Sequence, residues 1–174
     1  MNKISFRNMQ ESDLALLHDW LNRPHMRMHY QPEPISLEMV IAKYSARLQP
    51  IARVYTHIVL CDDNPIGKMQ CYLIQDWAKY ASEIGVQHGI SLDLFIGDAN
   101  YLGKGIGAKM LGAYIKEIVF PLFPSEDTVY ICHEKNNLAA LATSLSVGFQ
   151  ILRSVLEEGK ESTLLLLSKS KSLS

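Results

Sequence analysis

The chain has 174 residues, 48% of them hydrophobic, so it can bury a core, and we expect a single domain over residues 1–168 with a frayed tail at 169–174. A formal net charge of −1 excludes a general attraction to nucleic acid or to an anionic membrane. The three cysteines are widely spaced, and neither a membrane span nor a signal peptide is visible, so we expect a cytoplasmic protein without a disulfide framework.

Hydrophobic patterning and turn residues predict the elements of the front half. Ser36 fits the N-cap of the second helix, and the prolines at 24, 32 and 34 predict a loop between the two helices. In chain order, the predicted elements are a strand at 3–8, a helix at 11–22, a loop at 23–35, a helix from 36 to about 48, and strands at 54–61 and 66–74 that form a hairpin.

The back half predicts alternating strands and helices. Residues 76–88 fit either a helical turn or an excursion over a site, and Gly148 fits a left-handed helix cap. The other predicted elements are a strand at 89–96, a helix from 103 to about 120 with Ile106, Met110, Tyr114 and Ile118 towards the core, a strand at 128–132, a helix at 137–147, and a hairpin of 149–156 with 161–167. This order predicts a mixed α/β fold, with a largely antiparallel sheet, one central parallel pair and helices on both faces.

A glycine-rich stretch, Leu-Gly-Lys-Gly-Ile-Gly-Ala-Lys-Met, runs from Leu102 to Met110 after an apolar strand. Glycines that open a helix let a ligand approach the backbone, and the N–H groups of the helix start favour a phosphate or pyrophosphate. An ordinary strand-to-helix turn is the alternative. The spacing fits neither a dinucleotide fold nor a P-loop, so the remaining common pyrophosphate ligand is coenzyme A.

Asp93 interrupts an otherwise apolar strand, where a carboxylate is costly to bury unless it is paired. The ammonium group of a substrate would be such a partner. Neighbouring N–H groups, or solvent at an edge strand, are the alternatives.

Two histidine patterns carry no predicted site. His25 and His29 lack further ligands at metal spacing, so we interpret them as loop residues and predict no metal. Cys132 and His133 are adjacent on a strand, so their side chains point to opposite faces and cannot form a Cys–His pair with each other.

The element order and two motifs resemble the GNAT superfamily of acetyl-CoA-dependent N-acetyltransferases. The segment Leu102–Ala108 is similar to the superfamily's R/Q-x-x-G-x-G/A loop, with Gly105 and Gly107 at its glycines. The segment Asn137–Phe149 looks like the superfamily's asparagine-led helix that ends in a Gly-Phe pair. The stretch 89–101 resembles the aminoglycoside 6′-N-acetyltransferases, in which this strand carries an aspartate.

The resemblance implies acetyl-CoA as the co-substrate, held without a metal. The strand before the glycine loop would pair with the pantetheine arm through its backbone, the loop would hold the pyrophosphate, and the asparagine would contact the cofactor. The implied cofactor-binding residues are Leu94, Phe95, Ile96, Leu102, Gly103, Lys104, Gly105, Ile106, Gly107, Ala108 and Asn137.

For the acceptor, Asp93 would bind and orient the amine and accept its proton, directly or through water. A polycationic acceptor needs further negative charge, for which Asp98 is one candidate, and aromatic side chains such as Tyr80 would form walls for a sugar ring. A solvated surface charge and ordinary packing are the respective alternatives. The predicted substrate-binding residues are Asp93, Tyr30, Asp76, Trp77, Glu83 and Glu134.

Three positions depart from the family pattern. Leu102 stands where many members have arginine or glutamine, and Cys132 stands where the subfamily often has an aspartate. Ser144 stands where many members have a tyrosine that protonates the leaving thiolate. Ser144 is therefore either a weak proton donor, and hence catalytic, or part of the plain helix surface. Tyr101 is a further candidate for the proton donor. A thiol with a pKa of about 8.5 tolerates the lack of an acid when it leaves as the thiolate.

We therefore expect an enzyme that moves acetyl from acetyl-CoA to a primary amine of a small polar molecule. The 6′ amine of an aminoglycoside, and hence antibiotic resistance, is the leading case. A siderophore precursor, a polyamine or a protein amine is the alternative acceptor, and a coenzyme A-binding module with little catalysis is the alternative class. We expect a small-molecule partner, no nucleic acid or membrane, and a monomer or homodimer.

Overall fold

The computed structural model of the protein describes residues 2–172. Within them, seven strands form one sheet in the order β1-β2-β3-β4-β5-β7-β6. The strands are β1 Ile4–Asn8, β2 Tyr55–Cys61, β3 Asn64–Leu73, β4 Ile90–Ile96, β5 Thr128–Glu134, β6 Gln150–Glu157 and β7 Lys160–Ser168. β4 and β5 pair in parallel, whereas β1 with β2, β5 with β7 and β6 with β7 pair antiparallel. The predicted mixed sheet with a parallel pair is confirmed.

The α-helices of the described residues are α1 Leu14–Leu21, α2 Pro24–His29, α3 Leu37–Ser45, α4 Ala78–Ile84, α5 Ile106–Tyr114, α6 Phe120–Leu122, α7 Leu138–Val147 and α8 Lys169–Ser172. Ser36 caps α3 by accepting the N–H of Met39 at 3.3 Å, and Gly148 ends α7 with a φ of 108°. Residues 76–88, which by sequence fit either a helical turn or an excursion over a site, contain α4. Helix α8 occupies the start of the predicted tail, whose residues 173–174 lie outside the described residues. No helix between residues 2 and 172 combines the length and apolarity that crossing a bilayer requires.

The predicted loop at 23–35 contains helix α2, so this prediction is wrong over Pro24–His29. Pro24 sits in the first turn, where its missing N–H costs no intrahelical bond and its fixed φ suits the helix. Arg23, the residue before it, is extended (φ −69°, ψ 146°), as the proline ring demands. The proline therefore starts a helix here.

The buried side of the helix after the glycine turn shifts along its length. The first three predicted core residues of α5 are buried, but Ile115–Val119 form a π-helical turn, in which each turn holds more residues than in an α-helix. The buried side consequently moves by one position: Val119 is fully buried, and Ile118, predicted for the core, is only half-buried.

The chain divides into two compact units, the first of residues 2–70 with 94–104 and the second of residues 71–93 with 105–172. In the first unit, the buried ring of Trp20 meets the ring of Phe95 edge-on, with 6.2 Å between their centroids. In the second unit, a cluster of buried apolar residues around Ile74 and Leu164 packs against Tyr80 and Cys132. Asp93 and most of the predicted acceptor-binding residues belong to the second unit.

Candidate active site

A glycine turn leads into helix α5, which begins at Ile106 and not at residue 103 as predicted. Gly103 and Gly105 have φ angles of 67° and 71°, which residues with a side chain rarely adopt. A Cβ atom added at either glycine would meet nothing within 4 Å, so the backbone conformation, and not packing, requires glycine here. The N-cap is Gly105 itself, which has no side chain to cover the first-turn N–H groups. The turn therefore has the geometry of a phosphate-binding helix start.

Asp93 lies half-buried on β4, a strand that the sheet order places in the interior and not at an edge. Its negative charge acts on the pKa values of Tyr72, Cys132, His133 and Glu157, which come from three further strands. The edge-strand alternative is therefore wrong. We call Asp93, Tyr72, Tyr80, Cys132 and Glu157 the Asp93 cluster; all five belong to the second unit.

The aromatic side of the Asp93 cluster consists of two tyrosines and a tryptophan. The Tyr72 ring is edge-on to Trp77 and to Tyr80, with centroids 5.7 Å and 5.9 Å apart, and Trp77 remains 42% exposed. The Tyr80 hydroxyl lies 3.0 Å from Ser91 Oγ. Burial is the main cause that raises the pKa of both tyrosines above its ordinary value, so both hydroxyls stay protonated and can donate hydrogen bonds.

Glu157, at the end of β6, is a member of the Asp93 cluster that sequence reasoning missed. Burial, followed by the charges of Asp93, Glu158 and Glu83, raises the pKa of Glu157 to about 7. A hydrogen bond from the Cys132 thiol opposes this rise. The thiol itself is neutral, because burial raises its pKa far above the ordinary value. The sequence pattern around Glu157 predicts only the approach to a turn and gives no sign of this burial.

The other predicted carboxylates lie in surface contacts. Glu83 accepts the N–H of Glu158 at 3.5 Å and lies 3.7 Å from the lysine one turn earlier on α4. Glu134 forms an ion pair with Lys160 beside a surface depression at the end of β5. Asp76 is exposed at the end of a 3₁₀ turn, and Asp98, in the first unit, accepts the N–H of the residue two positions on at 3.0 Å. The charge of Glu83 acts on a member of the Asp93 cluster, Glu157.

Tyr30 belongs to the first unit, where it takes part in packing. Its ring lies edge-on to Phe95 with a centroid distance of 4.8 Å. Its hydroxyl lies 3.4 Å from Nζ of Lys68, a fully buried lysine whose ammonium also approaches the rings of Tyr44 and Phe95. These contacts give Tyr30 a structural role in its own unit.

His25 and His29 lie one turn apart on α2, so the interpretation of these histidines as loop residues is wrong. His25 Nε2 donates to the carbonyl oxygen of Ile96 at 3.0 Å, which gives His25 a structural partner. Across residues 2–172, no group of three or more His, Cys, Asp or Glu side chains is arranged to hold a metal ion.

Ser144 is the one residue of α7 that is fully enclosed, with 1% exposure, so the interpretation as plain helix surface is wrong. Its Oγ lies 2.7 Å from Nε2 of His133 on β5. Burial lowers the pKa of His133 to about 4, although the charge of Asp93 opposes this, so the imidazole is neutral near pH 7. His133 thus bonds to α7.

Asn137 caps helix α7 with its side chain. Its Oδ1 accepts the N–H of Ala140 at 3.2 Å, which explains why an asparagine starts this helix. The contact with a cofactor that the resemblance implies for Asn137 stays a prediction.

The mixed sheet, the parallel β4–β5 pair and the glycine turn before α5 are the features of an acyltransferase fold that uses coenzyme A thioesters. Residues 9–155 match the family model described as acetyltransferase (GNAT) domain, and the chain belongs to this family of acetyltransferases. The matched residues include four of the five members of the Asp93 cluster; Glu157 lies two residues beyond them.

Named relatives agree with this assignment. Over 155 residues, 86% of this chain and 75% of the relative, the chain is 28% identical to the aminoglycoside N(6′)-acetyltransferase type 1 of Klebsiella pneumoniae. The fold is similar to that of aminoglycoside acetyltransferase AAC(6′)-Ib in complex with coenzyme A, with a TM-score of 0.80, 22% identity, and coverage of 97% of this chain and 96% of that one. It is also similar to an aminoglycoside N(6′)-acetyltransferase from Legionella pneumophila, with a TM-score of 0.76, 20% identity, and coverage of 99% and 96%.

Proposed function

We propose that this acetyltransferase transfers acetyl from acetyl-CoA to a primary amine of a small polycationic molecule, with the 6′ amine of an aminoglycoside as the leading acceptor. The observation that carries the proposal is Asp93, a half-buried carboxylate on the strand that leads to the glycine turn. The Klebsiella relative, an aminoglycoside N(6′)-acetyltransferase by name, supports this acceptor class. The same proposal describes a cytoplasmic enzyme that acts as a monomer or homodimer.

The glycine turn fits the pyrophosphate of acetyl-CoA. Its left-handed glycines hold the backbone open, and no side chain of the N-cap covers the N–H groups of Ile106, Gly107 and Ala108. Lys104 would add a positive charge, and Leu102 would contribute only backbone. Acetyl-CoA supplies the acetyl group as a thioester. The implied backbone roles of Leu94, Phe95 and Ile96 stay predictions.

The acceptor amine would meet the Asp93 cluster. At neutral pH an alkyl ammonium is protonated, so the site must first bind a cation and then remove a proton. Asp93 would bind and orient the ammonium, and Tyr72 and Tyr80 would donate hydrogen bonds to hydroxyl or ether oxygens of a sugar. Trp77, exposed beside Tyr72, would cover a ring face. Asp76, Glu83 and Glu134 would add negative charge for further amines of the acceptor.

An acceptor panel tests the proposal. The protein and acetyl-CoA are mixed with kanamycin, a polyamine, a catechol-amine siderophore precursor or a lysine peptide, and the release of free thiol is followed. We expect release with kanamycin at a rate well above the rate without acceptor. Thiol release with another amine of the panel, and not with kanamycin, would assign the acceptor to the class of that amine. Binding of acetyl-CoA without release on any amine would favour a coenzyme A-binding module instead.

Ser144→Ala tests the predicted acid role of Ser144. We expect the free energy of unfolding to fall by about 1–3 kcal/mol, because the change removes a buried hydrogen bond and leaves a nitrogen of His133 unpaired. We expect kcat to fall less than about tenfold, because a thiol of ordinary pKa leaves without an acid. Urea unfolding and steady-state kinetics measure the two effects.

Ser146→Ala is the matched control, since Ser146 is exposed on the same helix and its hydroxyl donates to the carbonyl oxygen of Thr143 at 2.7 Å. It should change neither quantity appreciably. A fall in kcat of about 100-fold or more in Ser144→Ala, with unchanged stability, would instead make Ser144 an essential acid.

A further inference from the structure

Two successive peptide groups at the end of β4 are each bound at both ends, by residues of the first unit. In the first peptide group, between Ile96 and Gly97, the N–H donates to the carbonyl oxygen of Ile66 on β3 at 2.8 Å. Its carbonyl oxygen accepts a hydrogen bond from His25 Nε2 on α2 at 3.0 Å. A trans peptide group points its N–H and its C=O in opposite directions, so β3 and α2 hold this group from opposite sides.

The second peptide group, between Gly97 and Asp98, repeats this arrangement. Its N–H donates to the same carbonyl oxygen of β3 at 3.0 Å, and its own carbonyl oxygen accepts a hydrogen bond from Arg23 Nη1 at 3.0 Å. The guanidinium is in turn held by Asp19 on α1, whose Oδ2 accepts from the Nε and the Nη2 of Arg23 at 3.1 Å and 2.6 Å. We call Arg23, which precedes the first residue of α2, and His25 the α2 clamp.

The bound segment lies against α1 and leads directly to the glycine turn. A Cβ atom added at Gly97 would lie 2.2 Å from the buried ring of Trp20, so the backbone packs on this ring and requires glycine. A 3₁₀ turn at Ala99–Tyr101, which the side chain of Asp98 caps, then precedes Gly103. The α2 clamp therefore acts on the last part of the chain before the glycine turn.

We propose that Arg23 and His25 are positioning residues for acetyl-CoA, an inference that rests on the proposed use of this cofactor. They fix the orientation of the backbone at the end of β4, where the resemblance implies that Ile96 pairs with the pantetheine arm. A segment that is ordered before a ligand binds loses less conformational entropy on binding, and the affinity is higher. The α2 clamp thus acts through the backbone, on the binding of the cofactor and not on the chemical step.

His25→Ala, compared with His25→Gln, tests the inference. Alanine removes the donor to the Ile96 carbonyl, whereas the side-chain amide of glutamine can donate from nearly the position of the imidazole Nε2. We expect His25→Ala to raise the dissociation constant of acetyl-CoA, measured by calorimetric titration, about tenfold, and glutamine to restore most of the affinity. Arg23→Ala should raise the same constant by about as much, since it removes the donor to the next carbonyl.

Steady-state kinetics separate positioning from a purely structural contact. In His25→Ala, KM for acetyl-CoA should rise, while kcat and KM for the acceptor amine should change less than about twofold. Loss of a purely structural contact would lower the free energy of unfolding and leave both KM values of the folded enzyme in place. Arg27→Ala is the matched control, since Arg27 is exposed on α2 and its Nε donates to the carbonyl oxygen of Pro32 at 3.3 Å. It should keep affinity and kinetics.

The two clamp residues give independent readouts, so Arg23→Ala decides the question if His25→Ala does not fold. Folded variants of both residues that bind acetyl-CoA as tightly as the unchanged enzyme overturn the α2 clamp and leave the acetyltransferase proposal standing. The same holds for a loss of affinity in Arg27→Ala as large as that in the clamp variants. An unchanged protein that does not bind acetyl-CoA overturns the proposed function, and the α2 clamp with it.

Discussion

Asp93→Asn should lower kcat/KM for the acceptor amine by about 100-fold or more. Asparagine keeps the size of the side chain but removes the charge that holds an ammonium, and a hydrogen bond to a charged group contributes about 1.5–3 kcal/mol. The misplaced amine should also react more slowly, so kcat should fall as well. Thiol release at saturating acetyl-CoA, with kanamycin varied, measures both parameters.

A matched control separates this effect from a general change of charge. Asp127→Asn is the control, since Asp127 is exposed in the loop before β5. Near-unchanged kinetics in Asp93→Asn would remove Asp93 from the acceptor site.

Gly105→Ala should raise the dissociation constant of acetyl-CoA by at least about tenfold. Gly105 has a φ of 71°, and an L-residue in this conformation costs about 1–2 kcal/mol, so alanine should favour a different turn. Any such change moves the N–H groups that would bind the pyrophosphate, which form charge-assisted hydrogen bonds. Calorimetric titration with acetyl-CoA measures the loss.

Gly148→Ala is the matched control for backbone strain. Gly148 is also left-handed, with a φ of 108°, and an added Cβ would make only ordinary contact with Leu167, but it lies at the end of α7 and not at the glycine turn. We expect it to lose stability and keep its affinity for acetyl-CoA. Equal affinities in both variants would mean that the turn does not bind the cofactor.

Much of the fold follows from local patterns in the sequence. Ser36, Gly148 and the glycines before α5 each mark an element boundary through their own conformational preference, and the structure has boundaries there. The shift of the buried side to Val119 could not be predicted, because a π-helical turn has no local sequence signature and reflects the packing of the whole helix.

The candidate site was predictable where a residue is anomalous in its own segment. Asp93 is such a residue, because a charge in an apolar strand is visible without knowledge of its neighbours. Glu157 and Ser144 are not anomalous: a glutamate before a turn and a serine on a helix are both common at the surface. Their burial depends on segments distant in the sequence, such as His133 on β5 for Ser144, which only the folded chain brings together.

Acceptor-dependent thiol release with a matched pair of aminoglycosides tests the central claim most directly. One compound carries an amine at the 6′ position, and the other carries a hydroxyl there and is otherwise the same. We predict release of thiol with the 6′ amine and none above background with the 6′ hydroxyl. Folded protein that binds acetyl-CoA but releases thiol with neither compound, or equally with both, would contradict the account.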